Sequence, residues 1–227
     1  MTSIRVWDLP IRLFHWLLVL TIVGSIASAK LGGNWMEWHQ RLGFFALGLI
    51  VFRLVWGLIG SQHARFTSFV RGPSTVWQYM REITRPDAQH TKRYLGHNPM
   101  GALSVIAMLA VILFQATSGL FADDDILMRG PYADAVSKQI SDWFTKLHKL
   151  NSNVLIGLIV LHLSAIGFYY FVKRENLVKP MINGTKSATD EELQAVLPET
   201  PRPVWLAWAV VAVVSALTYA VVARPFW

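Results

Sequence analysis

Five apolar segments, each close to the roughly 20 residues that an α-helix needs to cross a bilayer, constrain this sequence more than any other feature. Of its 227 residues, 53% are hydrophobic and only 15% are charged, a composition too apolar for a soluble domain of this size. Segments of this kind cross lipid as helices, because only a helix satisfies its own backbone hydrogen bonds there. The segments comprise residues 11–30, 38–59, 100–121, 150–172 and 204–223. We therefore predict an all-α integral membrane protein.

The basic residues, which give a net charge of +7, are distributed unevenly between the loops. Twelve Lys and Arg lie in the N-terminus and in the stretches 60–97 and 173–203, against seven on the other side. The positive-inside rule then predicts a cytoplasmic N-terminus and a periplasmic C-terminus. Because the basic residues are distributed by loop in this way, the net positive charge does not indicate nucleic-acid binding.

The sequence contains no cysteine. It therefore forms no disulfide, binds no iron–sulfur cluster through thiolates and attaches no haem through a C-x-x-C-H motif.

Four of the seven histidines, His15, His39, His148 and His162, lie inside or at the mouths of the apolar segments. A polar imidazole in lipid is rare and marks a functional site. His148 and His162 are fourteen residues apart, which on one helix is about 21 Å of rise with nearly the same facing direction. This spacing suits two cofactors at two membrane depths and does not suit a single metal ion.

Membrane depth pairs these histidines between helices. His15 and His162 fall in the cytoplasmic half of the membrane, whereas His39 and His148 lie at the starts of their segments, at the outer surface. Each pair suits one planar macrocycle held between two helices of a bundle. Bis-imidazole ligation fills both axial positions of a haem iron, which is typical of an electron carrier. The pattern predicts two b haems, each ligated by one of these pairs.

Arg53 lies fourteen residues after His39, on the same helix face and at the depth of the cytoplasmic pair. A buried arginine in lipid needs an anion, and a haem propionate would supply one. The alternative is that Arg53 snorkels to the headgroups, since its segment ends six residues later. Gly43 and Gly157, near His39 and His162, leave room for a flat cofactor, although glycine also serves helix packing.

The three remaining histidines, His63, His90 and His97, lie in or at the end of the basic loop before the third segment. We expect His63 and His90 to be solvated. For His97 we expect helix capping or surface exposure, ahead of contact with a propionate or a proton relay to a quinone.

Two stretches outside the apolar segments show helical periodicity. After Pro73-Ser74, apolar residues recur at positions 76, 79, 80 and 83, which predicts an amphipathic helix either in the membrane interface or packed on the end of the bundle. Residues 136–147 repeat in the same way and lead directly into His148. The outer loop also contains Asp123-Asp124-Asp125, which we expect to be solvated rather than a cap or a surface for a basic partner.

We expect three parts in the chain. Residues 1–180 form the di-haem bundle, and residues 181–203 belong to a polar stretch that predicts a flexible cytoplasmic linker. Residues 204–227 form an accessory C-terminal transmembrane helix, which contains no histidine. That helix suits packing, lipid contact or homo-oligomer formation.

Several motifs resemble the bacterial di-haem cytochrome b-561 group, which includes the b-type cytochrome subunits of nickel–iron hydrogenases and the superoxide:quinone oxidoreductases. The resemblance covers roughly residues 5–180 and rests on residues 6–16 (VWDLPIRLFHW), Trp38-His39 with Arg53, residues 94–99 (YLGHNP), Leu147-His148 and Leu161-His162. It implies a four-helix core with two b haems, ligated by the four histidines, in the bacterial inner membrane. The fifth segment departs from the shortest members of that group.

The resemblance also implies electron transfer between quinone and a periplasmic redox protein such as a c-type cytochrome or a hydrogenase. A superoxide:quinone oxidoreductase is the first alternative, and a strongly basic outer funnel would favour it by attracting the anion. The outer loop instead mixes basic residues with five aspartates, at positions 123, 124, 125, 134 and 142. A histidine-lined proton or metal-ion transporter is the second alternative, and it would be colourless.

Overall fold

The computed structural model describes residues 2–83, 94–126, 128–188 and 202–223. Five of its helices are long and apolar enough to cross a membrane, so the prediction of a multi-pass helical membrane protein is confirmed. These spans are α1 (Leu9–Leu31), α2 (Trp35–Ile59), α5 (Pro99–Gly119), α6 (Lys138–Phe171) and α8 (Val204–Val222). The shorter elements are β1 (Thr2–Arg5), α3 (Phe66–Phe69), α4 (Pro73–Ile83), α7 (Val178–Asn183) and β2 (Thr185–Ala188).

The spans form an antiparallel bundle, in which α1 packs along α2, α5 along α6, and α2 also contacts α5 and α8. Its core contains Phe14, Ile50, Trp56, Leu109 and Leu155. We call the end at which α1 begins and α2 ends the N-terminal face, and the other end the opposite face. The accessory helix α8 is part of this packing, because Val210 and Val214 join the same core.

The helix starts follow from capping residues. Asp8 Oδ1 accepts a hydrogen bond from the Ile11 amide at 2.8 Å at the start of α1, and Asp8 Oδ2 accepts one from Trp56 Nε1 at 2.9 Å. Asn98 Oδ1 accepts from the Gly101 amide at 2.7 Å at the start of α5. The expectation that His97 caps this helix is therefore wrong, because its neighbour Asn98 is the cap.

Asp8→Ala is expected to lower the free energy of unfolding by about 1–2 kcal/mol, because it removes a helix cap together with the link to Trp56. Asp8→Asn keeps a capping oxygen and is the matched control. Thermal unfolding in detergent measures both variants, and equal losses for the two would contradict the role of the cap.

Helix α6 is continuous over 34 residues, about 51 Å long, and so exceeds the roughly 30 Å hydrocarbon core of a bilayer. It joins the predicted amphipathic stretch 136–147 to the fourth apolar segment without a break, as predicted. One helix therefore carries both His148 and His162. In the same way, α2 carries both His39 and Arg53.

Helix α4 confirms the first amphipathic prediction and decides between its two alternatives. Tyr79 is buried, and its hydroxyl lies 2.6 Å from that of Tyr169 near the end of α6. Burial and this hydrogen bond raise the pKa of Tyr79 above its ordinary value. Trp77 on the other side of α4 is exposed. The inward side of α4 thus packs on the end of the bundle.

The polar stretch after α6 is more ordered than the sequence suggests. β2 pairs antiparallel with β1, from Thr2 opposite Ala188 to Arg5 opposite Thr185. Lys186 is buried beside Glu175 at 2.5 Å and donates to the Tyr94 carbonyl at 2.8 Å. The flexible character expected of this stretch therefore does not extend to α7 and β2. Residues 189–201 and 224–227 lie outside the described residues.

Asp123 and Asp125 in the outer loop form ion pairs, and Asp123 is also buried. Asp123 is 5% exposed and accepts from Arg129 Nε at 2.9 Å, and Asp125 pairs with Lys138 at 2.5 Å. Hydrogen bonding from the Asp125 amide, with Arg129 contributing, lowers the pKa of Asp123. The loop is thus closed by its own ion pairs, and the expectation of solvated charge is wrong for Asp123.

Candidate haem-binding sites

His39, near the start of α2, and His148, in α6, come together at the opposite face of the bundle. Their ring centroids are 6.0 Å apart and their planes are nearly perpendicular, at 88°. With a metal–nitrogen distance of about 2 Å on each side, two imidazoles on opposite sides of one ion place their ring centroids about 6 Å apart. The spacing of this pair fits bis-imidazole coordination.

Backbone carbonyls orient both rings of this pair. His39 Nδ1 lies 2.9 Å from the Ser25 carbonyl oxygen in α1, and His148 Nδ1 lies 2.9 Å from the Gln115 carbonyl oxygen in α5. A carbonyl oxygen accepts a hydrogen bond from Nδ1–H, so the proton stays on Nδ1 and the lone pair is on Nε2. In metal-ligating histidines, the ring nitrogen that does not bind the metal usually donates a hydrogen bond, which holds the ring in its orientation.

Gln115 is a polar neighbour of this pair that the sequence interpretation missed. Its Nε2 lies 2.9 Å from His148 Nε2, and its Oε1 accepts from Asn151 Nδ2 at 2.7 Å. The Gln115 amide therefore has to turn away before His148 Nε2 coordinates a metal. A glutamine within the third apolar segment and an asparagine one turn after His148 were the available signals.

His15, in α1, and His162, in α6, are the second pair, in the other half of the bundle. They lie close enough to interact electrostatically, and the His15 ring meets the Trp16 ring edge-on at 5.1 Å. His15 Nδ1 is buried without a hydrogen-bond partner. Among the described residues, the His15 ring thus has no hydrogen bond at Nδ1 to orient it, which distinguishes it from the rings of His39 and His148.

Arg53 is buried, with 3% of its surface exposed. Snorkelling to the headgroups is therefore wrong for this side chain. Its guanidinium carbon lies 4.7 Å from the centroid of the Phe66 ring, and its Nη1 is buried without a hydrogen-bond partner. A buried guanidinium with an unused donor fits an anion such as a propionate.

The glycines that the sequence singled out border open space. A Cβ atom added at Gly43 or at Gly157 would meet nothing within 4 Å. Both positions therefore leave room beside the histidine-bearing helices for a flat cofactor. Gly119 differs, because a Cβ there would lie 3.1 Å from His148 Cε1, so this glycine lets α5 approach the ring.

His97 and His63 are less exposed than predicted. The His97 ring lies 4.5 Å from that of Phe69 and 4.7 Å from that of Trp7, and burial with nearby Arg53 lowers its pKa to about 3. His63 is half-buried and interacts electrostatically with His97. Surface exposure is therefore wrong for His97. His90 lies outside the described residues.

Comparison with known proteins gives one family and a consistent set of relatives. The family described as "Prokaryotic cytochrome b561" matches residues 6–184. A protein of Azotobacter chroococcum mcd 1 is 24% identical over 224 residues, covering 84% of this chain and 91% of the relative. A Rhodobacter capsulatus protein is 22% identical over 224 residues, covering 85% of each. Both relatives are called "Probable Ni/Fe-hydrogenase B-type cytochrome subunit". No solved structure matches.

Proposed function

This chain belongs to the prokaryotic cytochrome b561 family, and from that membership we propose that it passes electrons between the quinone pool and an extracytoplasmic redox protein through two bis-histidine b haems. It is a membrane electron-transfer cytochrome, and its b-type relatives imply haem b. The finer parts of the proposal are the number of haems, their ligands and the two electron partners.

The geometry of His39 and His148 is the observation that carries the proposal. Two oriented imidazoles at 6.0 Å suit one metal held from both sides. Haem, when bound, supplies reversible one-electron chemistry. His39 and His148 would hold this haem through their imidazoles, and ligation by both would leave no coordination site for oxygen or substrate.

The second haem is proposed between His15 and His162. His162 lies fourteen residues beyond His148 on the continuous α6, about 21 Å along its axis. The two pairs thus suit an electron path along the bundle rather than a single two-metal site. Arg53 is proposed to bind a propionate of this second haem, since its buried Nη1 lacks a partner.

The proposed orientation places the N-terminal face in the cytoplasm of a bacterium, with the protein in the inner membrane. The distribution of Lys and Arg supports it. We therefore call the His15–His162 haem the inner haem and the His39–His148 haem the outer haem. The outer haem then faces a periplasmic redox protein, either a c-type cytochrome or a hydrogenase, and the relatives' names favour the hydrogenase class.

The accessory helix is proposed to face lipid or a second copy of the chain. Trp205 and Trp208 on α8 are both about two-thirds exposed, as suits residues at a membrane interface.

A superoxide-oxidising enzyme is less well supported. Attraction of an anion needs unpaired basic residues at the outer surface. Arg129 is paired with Asp123 and Asp134, and Lys138 with Asp125 and Asp142. These pairs neutralise two of the basic groups that such a funnel would use.

Spectroscopy of the purified full-length chain tests the proposal. We expect a reduced-minus-oxidised spectrum typical of bis-histidine b haem, with two haems per chain by pyridine haemochrome assay. Reduction by quinol in liposomes, followed by oxidation by an added c-type cytochrome or hydrogenase, tests the two partners. A colourless chain would refute the haem proposal and favour the transporter.

A further inference from the structure

Buried polar atoms without hydrogen bonds are concentrated at the N-terminal face. Among the residues that the structure describes, six buried side-chain atoms lack a hydrogen-bond partner; five of them belong to basic side chains, and the sixth, an oxygen of Glu175, is ion-paired with Lys186. The six are Arg12 Nε, His15 Nδ1, Arg53 Nη1, Arg65 Nε, His97 Nδ1 and Glu175 Oε1. An unsatisfied buried polar group is costly, so the arginine and His97 nitrogens in this set indicate a missing anionic partner.

Arg53 and His97 belong to one cluster of side chains at this face, in which Arg53 and Phe69 are buried and His97 is half-buried. The Arg53 guanidinium lies over Phe66 at 4.7 Å, Phe66 contacts Phe69 at 5.8 Å between ring centroids, and Phe69 contacts His97 at 4.5 Å. Arg53 and His97 also interact electrostatically. Two unpartnered nitrogens, Arg53 Nη1 and His97 Nδ1, thus belong to side chains that pack on the same pair of phenylalanines, Phe66 and Phe69.

The carboxylate already present in this region does not satisfy them. Asp8 acts on Arg53 electrostatically, but it directs its hydrogen bonds to the Ile11 amide and to Trp56 Nε1. Arg53 Nη1 still has no partner. Asp8 therefore offsets part of the positive charge and leaves the donors available to a further anion.

We propose that Arg53 and His97 together bind one carboxylate, a propionate of the inner haem. Arg53 Nη1 donates to this carboxylate, and His97 donates the N–H of its imidazole. The inference rests on the proposed function, because the carboxylate comes from the haem of His15 and His162. It adds His97, from the loop before α5, to the residues that hold this cofactor.

The burial of the Arg53 side chain and of His97 Nδ1 favours a propionate over a lipid phosphate. Arg53 is 3% exposed, and the unpartnered nitrogen of His97 is buried. A headgroup would have to enter the bundle to reach them, whereas a cofactor inside the bundle brings its carboxylates with it. A neutral imidazole also suits this role, because burial lowers the pKa of His97 to about 3.

Redox titration of the full-length haem-loaded chain, with His97→Phe and His97→Gln, tests the proposal. Phenylalanine keeps an aromatic ring but has no donor, whereas the glutamine amide keeps one. We expect His97→Phe to shift the midpoint potential of the inner haem downward, because a carboxylate that loses a donor stabilises ferric iron more strongly. His97→Gln should restore part of the shift, and the outer haem should not change.

A double-variant cycle with Arg53→Gln adds a second measurement. If both residues hold one carboxylate, the shift from His97→Phe should differ between the wild-type and Arg53→Gln backgrounds. Additive shifts would overturn the shared site. If His97→Phe fails to retain haem, His97→Gln in the same two backgrounds decides the question.

Three further results would overturn the proposal. They are an unchanged midpoint potential of the inner haem in His97→Phe, equal shifts in His97→Phe and His97→Gln, and equal shifts of both haems.

Addition of inorganic phosphate, or removal of lipid, tests whether the bound anion is a phosphate instead. If either treatment moves the wild-type midpoint but not that of His97→Phe, the anion is a phosphate.

The proposed function fails by a different result, namely a wild-type chain without two bis-histidine haems. A two-haem chain that is indifferent to His97 would overturn only the inference about this residue.

Discussion

His15→Ala and His162→Ala are each expected to lower the haem content from two per chain to one. Each substitution removes one of two axial ligands of the same proposed haem, and the remaining imidazole no longer holds it from both sides. The outer pair lies about 21 Å away along α6 and keeps its haem. Pyridine haemochrome assay per chain, together with the reduced-minus-oxidised spectrum, measures the loss.

Double variants test the pairing directly. His15→Ala combined with His162→Ala should retain one haem, because both belong to one site, whereas His15→Ala combined with His148→Ala should retain none. His90→Ala is the control and should keep both haems, since His90 lies in the basic loop outside the apolar segments. One haem in the second double variant would show that the pairs are wrongly assigned.

Gly130→Ala is expected to destabilise the protein by about 1–3 kcal/mol, the usual range for an overpacked site. A Cβ atom there would lie 2.3 Å from the Leu120 carbonyl oxygen and 2.5 Å from that of Gly119. Both contacts are with backbone at the end of α5, so no side-chain rotation relieves them. Because Gly119 adjoins His148, the outer haem should be lost at a lower temperature than the inner one.

Gly72→Ala is the matched control for this prediction. A Cβ atom at Gly72 would meet nothing within 4 Å, so its effect should stay within about 0.5 kcal/mol. Thermal unfolding followed at the Soret band compares the two variants. Equal melting temperatures, or earlier loss of the inner haem in Gly130→Ala, would contradict the crowding argument.

The spans and the helices that carry the histidines could be predicted because both follow from local patterns. Apolar length identifies a span, and a fourteen-residue step on one helix fixes relative depth whatever the neighbours are. His148 with His162, and His39 with Arg53, therefore fall on single helices as predicted. The ligand roles of these residues remain predictions.

The surroundings of the site could not be predicted because they depend on contacts between distant segments. His97 is enclosed by Trp7 and Phe69, which precede α1 and follow α2, and no spacing rule places them together. Gln115 contacts His148 only because α5 and α6 pack with these two residues at the same level along the helix axes. The strands β1 and β2 are short, polar and without apolar alternation, so each forms only by meeting the other.

Pairing of β1 with β2 has a consequence for the order of assembly during synthesis. Thr2 pairs with Ala188, so β1 is synthesised well before its partner and waits for a strand made about 185 residues later. At about 5–20 residues per second this delay lasts about 10–40 s. The N-terminal face of the bundle thus stays open until β2 has followed the fourth span. A fusion partner placed ahead of Thr2 would act on this last step of closure rather than on insertion of the spans.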